Sequence, residues 1–141
     1  MAHSGSNRLD VIMDSDERQA RNVFALLIEE TRRLASSAEE QTAYLDQIKT
    51  GADELRMEFL DVGSVLFPLY REYDLVDYLD EESVLAVERH LSSGAEDDER
   101  HRENFYYWSR SKNLSFWIET RRLAKVALDF LTRPQSEKQI P

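Results

Sequence analysis

Residues 45–76 read LDQIKTGADELRMEFLDVGSVLFPLYREYDLV, and their apolar side chains recur at alternating spacings of three and four: Leu45, Ile48, Ala52, Leu55, Phe59, Val62, Leu66, Leu69, Tyr73 and Val76. Such spacing keeps one narrow stripe on one side of an α-helix, whereas a half-buried strand alternates every two residues. The same register runs backward through Gln41, Ala38, Leu34, Thr31, Leu27 and Phe24. More than a third of the chain therefore shares one seam, and helices with such a seam must bury it against other helices.

Composition agrees with that reading. The chain has 141 residues, a single domain's length, and 41% hydrophobic content supports a real core. Four glycines and three prolines are too few for a turn-rich β fold, while Leu, Glu, Arg and Ala favour helix. The expected fold is all-α, a bundle of five or six helices. Residues 1–13 are expected to form a tail or arm, 14–133 the helical domain and 134–141 a polar tail.

There is no cysteine, which excludes disulfides, thiolate metal sites and a Cys nucleophile. The longest unbroken apolar run, Val23 to Ile28, falls far short of the roughly 20 residues that cross a bilayer. No basic-then-apolar leader pattern opens the sequence, so a cytoplasmic protein without a membrane partner is expected. The formal net charge of −10 is unevenly spread: residues 69–98 hold ten acids and two bases, residues 99–141 five acids and nine bases. The simplest use of that asymmetry is attraction between the two segments, within the bundle or across a homodimer. Arg121, Arg122 and Lys125 are then expected to meet the acids of 72–82.

Local signals place the helix ends. Asp14 is a candidate N-cap, preceded by an alternating Leu9, Val11, Met13 that fits an extended arm. Ser37 with Glu40 fits a capping box and argues for a fresh helix there. The unbroken register and the lack of Gly or Pro between Asp14 and Thr50 argue instead for one long, coiled-coil-like helix over 15–62. Gly63 and Pro68 predict an interruption, followed by a short helix over 69–79. Asp80 is the next candidate cap, Gly94 a left-handed helix stop, and 97–132 the last helical stretch, with a break at 113–115.

Motifs for chemistry are missing. The residues three before His90 and His101 are Val87 and Asp98, so the Glu-x-x-His of bundle metal sites is absent, and no metal or cofactor is assigned. Glycines at 5, 51, 63 and 94 cannot build a phosphate-cradling loop. No catalytic residue is assigned, and the chain is read as a non-enzyme.

Two features remain as partner-binding candidates. One is the acidic stripe of Asp74, Asp77, Asp80, Glu81 and Glu82, which lacks the ligand pattern of a calcium loop. The other is the aromatic run Phe105, Tyr106, Tyr107, Trp108 with Arg110, Phe116 and Trp117; four neighbours cannot all enter one core, so some must face out. Basic residues interleave with these aromatics, but a chain of net charge −10 repels nucleic acid at long range.

The sequence thus predicts a noncatalytic, self-associating protein-interaction module with a protein partner. One alternative is an inhibitor or immunity-type protein that imitates nucleic acid and binds a basic partner. The other is a small-molecule-binding or enzymatic bundle in which Tyr106, Tyr107, Trp108 and Trp117 line a pocket with Arg110 as the polar anchor.

Overall fold

The seam is carried by three successive helices rather than one. The computed structural model describes residues 7–72 and 81–133, with side chains described over 18–72 and 82–133. Helix α1 spans Asn7–Ala35, α2 Ala38–Ile48 and α3 Asp53–Glu72; α4 follows at Glu81–Ser93. A short α5 (Asp98–His101) runs into a π turn (Arg102–Tyr106), then α6 (Trp108–Ser111) and α7 (Ser115–Leu131). Seven α-helices and no strand occur among the described residues, and none of these helices is long and apolar enough to cross a membrane.

The four long helices form the bundle. Helix α1 packs between α3 and α7, and α4 packs against α7 and α3, which closes a ring of four neighbours. Helices α1 and α3 run antiparallel: the Phe24 ring stacks on Tyr70 at one end of the pair, and Arg33 reaches Glu58 at the other. At the opposite side the end of α4 meets the start of α7, where the His90 ring lies 4.5 Å from that of Phe116. The antiparallel pairing of α1 with α3 and of α4 with α7 gives a bundle of alternating helix directions within each pair. Its centre is filled by Leu27, Phe59, Leu66, Val87, Leu91 and Trp117, all fully buried. Each such side chain contributes on the order of 1.5–3 kcal/mol by leaving water.

The break between α1 and α2 is the capping box. Ser37 Oγ accepts from the Glu40 amide at 3.1 Å, and Glu40 Oε1 accepts from the Ser37 amide at 3.4 Å, so exposed donors of the first turn are satisfied. Gln41, buried on the seam, finishes the other side of the turn: its amide nitrogen donates to the carbonyls of Arg33 and Leu34, each at 3.1 Å. A polar residue can occupy this apolar stripe because α1 ends beneath it with carbonyls to spare. Helix α2 stops at Lys49, which takes the left-handed conformation (φ 57°, ψ 48°).

Several expected boundaries move. Helix α1 starts at Asn7, so Asp14 lies inside it rather than capping it, and Leu9, Val11 and Met13 are helical rather than extended. Gly63 and Pro68 both lie inside α3. At Gly63 the carboxylate end of the Glu88 side chain on α4 lies over the helix; a Cβ there would sit 2.2 Å from it and displace that flexible end. Gly94 follows α4 without a positive φ; a Cβ there would lie 2.2 Å from a carbon of the Phe116 ring, so its smallness is what the fold requires. The last stretch breaks at Tyr107 as well as at 112–114. The predicted helix over 69–79 is α3 as far as Glu72; its remainder, the Asp80 cap and the 134–141 tail lie outside the described residues.

Candidate functional site

The end of the bundle built from α2, α5, the π turn, α6 and the start of α7 carries most of the predicted aromatic residues. Asp97 caps α5 by accepting from the Arg100 amide at 2.8 Å. The wider π turn then rotates the chain so that Asn104 and Phe105 face inward while Tyr106 and Tyr107 face out, and α6 sets off in a new direction. Asn104 clasps three elements: its side-chain amide donates to Gly94 O at 2.9 Å, and its carbonyl accepts from the Trp117 indole at 2.8 Å. Trp108 donates its indole N–H to Thr42 Oγ1 on α2 at 2.7 Å. Both indoles of the chain are therefore satisfied while their rings pack.

Edge-to-face contacts knit the rings together. Trp117 meets Phe105, Trp108 and Phe116 with centroids 5.7, 5.0 and 5.5 Å apart. Trp117 is wholly buried, so it supports the surface from beneath and is not itself a contact residue. Trp108 is half-buried. Tyr106 and Tyr107 are 60% and 56% exposed, and the exposed Arg110 holds its guanidinium 5.6 Å from the Tyr107 ring centre. Of the predicted aromatic group, Tyr106 and Tyr107 are exposed, Arg110 lies over Tyr107, Tyr106 meets the His101 ring edge-on, and Phe105 and Trp117 are buried while Trp108 is half-buried.

The acidic candidates are less defined. Asp74, Asp77 and Asp80 lie outside the described residues, Glu81 opens α4 with its side chain undescribed, and Glu82 is exposed. Exposed acids do approach the aromatic surface along the chain, at Glu96, Asp97, Asp98 and Glu99. Most of the acids of 72–82 lie outside the described residues, and among the described residues Arg121 and Arg122 have other partners. Arg121 donates to Gln41 Oε1 at 3.0 Å and to the Lys112 carbonyl at 2.5 Å, and burial lowers its pKa. Arg122 pairs with Glu119 one turn earlier on its own helix.

Two further clusters flank the same end. Asp53, at the start of α3, accepts from Arg56 Nε at 2.7 Å and lies 3.2 Å from His101 Nε2. Burial pushes the Asp53 carboxyl up, but the bond from Arg56 and the nearby His101 ring outweigh it and hold the group below its ordinary value. The second cluster joins α1, α2 and α3. Arg33 on α1 contacts Glu30 and lies 3.6 Å from Glu58 on α3 through the same nitrogen. Tyr44 on α2 donates its hydroxyl to Glu58 at 2.8 Å, and the Arg33 guanidinium covers the Tyr44 ring at 3.8 Å.

Glu30 is buried; burial first, then the neighbouring Glu58 carboxyl, push its carboxyl up to about 7 against the pull of Arg33. Sequence reasoning missed this pair among 28 acids. The available signal was position: Glu30 falls three residues after Leu27 and four before Leu34, on the inward face of α1.

Among the described residues no group of three or more His, Asp or Glu side chains is placed to hold a metal ion. Fold and site together define an antiparallel helical bundle with an aromatic surface at one end. Comparison with known protein families, curated proteins and solved structures returns no match.

Proposed function

We propose that this chain is a noncatalytic helical protein-interaction module that contacts its partner, a second copy or another protein, through Tyr106, Tyr107 and Arg110. The observation that carries the reading is the outward presentation of two adjacent tyrosines on a turn whose inward residues, Asn104 and Phe105, are locked by hydrogen bonds and ring packing. A rigid floor lowers the ordering cost of binding, and Tyr and Arg are the residue types that most often dominate contact energies. The neighbouring acids of 96–99 supply the complementary charge that would steer a basic partner or orient a second copy. A cytoplasmic setting is part of the reading, supported by a sequence with no cysteine.

The inhibitor or immunity-type alternative rests on the acidic composition alone. The pocket alternative is not favoured by rings that pack against each other and bury Trp117 completely. Sedimentation velocity across a concentration series, on the chain and on a Tyr106→Ala/Tyr107→Ala variant, tests the self-associating form. Association that the variant loses while keeping its helical dichroism supports the reading. Identical association by both proteins removes the tyrosines as the contact.

A further inference from the structure

Glu30 and Glu58 come from helices adjacent in the bundle and are gathered on the same Arg33 guanidinium nitrogen. Two carboxyl groups gathered on one cation repel each other when both are ionised, so one of them tends to hold a proton. Glu30, the more enclosed, is its holder; Glu58, more open to solvent, remains the acceptor for the Tyr44 hydroxyl. With that proton in place the cluster is neutral overall, one carboxylate against one guanidinium. Without it, two carboxylates face a single cation in a poorly solvated junction.

The groups facing Glu30 are few. Arg33 comes from its own helix, Glu58 from α3 and Tyr44 from α2. Helix α7, also packed on α1, presents Arg121, but Gln41 and the Lys112 carbonyl occupy that guanidinium.

We propose that the proton shared by Glu30 and Glu58 is a pH-sensitive fastening that holds α2 onto the α1–α3 pair. Loss of the proton to water leaves every covalent bond intact and sets the two carboxylates against each other. Glu58, the member nearer solvent, is driven outward, and the Tyr44 hydroxyl loses its acceptor, one of the ties that hold α2 beside those of Gln41 and Thr42. Helix α2 has eleven residues, too few to persist without its tertiary anchors, so it is the element that loosens. Acidification through neutrality fastens it and alkalinisation releases it. This holds whether or not the tyrosine surface binds a partner.

The test is hydrogen exchange of the α2 amides in the full chain at about pH 6 and about pH 8, corrected for intrinsic exchange. Protection should fall by about tenfold over that interval, as linkage requires for a group titrating near neutrality. In Glu30→Gln the fall should vanish, because the amide has no proton to lose. Constant protection in the unaltered chain, or an equal fall in Glu30→Gln, overturns the proposal. If Glu30→Gln does not fold, carboxyl carbon resonances of the unaltered chain decide. A Glu30 midpoint near neutrality, shared by the Tyr44 ring signals, supports the fastening; titration in the ordinary carboxylate range overturns it.

Discussion

The indole N–H of Trp108 donates to Thr42 Oγ1 at 2.7 Å, tying α6 to a helix 66 residues earlier in the chain. Thr42 in turn donates to the Ala38 carbonyl at 2.8 Å, so the Trp108 ring is held by the backbone of α2 through one hydroxyl. Replacing Thr42 with Val keeps shape and removes the acceptor. We expect a stability loss of about 1 kcal/mol by urea unfolding, the usual net value of such a bond, with Thr42→Ser near the unaltered chain. An unchanged Thr42→Val would mean that the bond contributes nothing to stability.

Gly94 and Phe116 are linked by lack of room. A methyl at Gly94 would stand 2.2 Å from the Phe116 ring, which is stacked on His90 and edge-on to Phe105 and so has nowhere to retreat. Gly94→Ala should cost roughly 1–3 kcal/mol, the usual overpacking range. In a Phe116→Leu background the added cost should shrink, which a double-mutant cycle by chemical denaturation measures.

Lys49 holds a left-handed backbone at the end of α2, a conformation that glycine adopts without steric cost. Its N–H closes the helix by donating to Leu45 O, a bond that glycine preserves. Lys49→Gly is expected to raise stability by up to about 1 kcal/mol in a denaturant midpoint series. Lys49→Val, β-branched at the same φ, should lower it.

Glu30 gives the chain a pH term of definite sign. Its folded value of about 7 lies above the ordinary 4.5, so folded protein holds this proton more tightly than unfolded protein. The resulting cost is absent below about 4.5, grows as pH rises, and is complete above about 7. Asp53, held below its ordinary value, acts oppositely: its contribution is present above 3.8 and lost as pH falls through its lowered value. Thermal unfolding should therefore show Glu30→Gln gaining on the unaltered chain between about pH 5 and about pH 8. A constant difference across that interval would contradict a proton on Glu30.

Much of this architecture is written in the spacing of residues 24–69. Leu27, Leu34, Leu45, Leu55, Phe59 and Leu66 are all buried, and so are Thr31 and Gln41, polar residues that the register alone placed inward. Helix ends were less legible, for a physical reason. Gly63, Pro68 and Gly94 read as punctuation when only local backbone preference is considered, yet Gly63 and Pro68 lie inside α3 and Gly94 is set by the approach of the Phe116 ring from a distant element. The outward turn of some aromatics followed from the impossibility of burying four neighbours. Which ones turned out depended on the π turn, whose added residue resets the face and has no distinct signature in RENFY.

The most direct measurement is site-specific photo-crosslinking from position 107, with a control at Val65, an exposed apolar residue on α3. A photoreactive phenylalanine derivative in place of Tyr107 should give a covalent adduct of one defined mass with a second copy or another protein. The same probe in place of Val65 should not. Adducts absent from position 107, or equally abundant from both positions, would contradict the aromatic end as the contact surface.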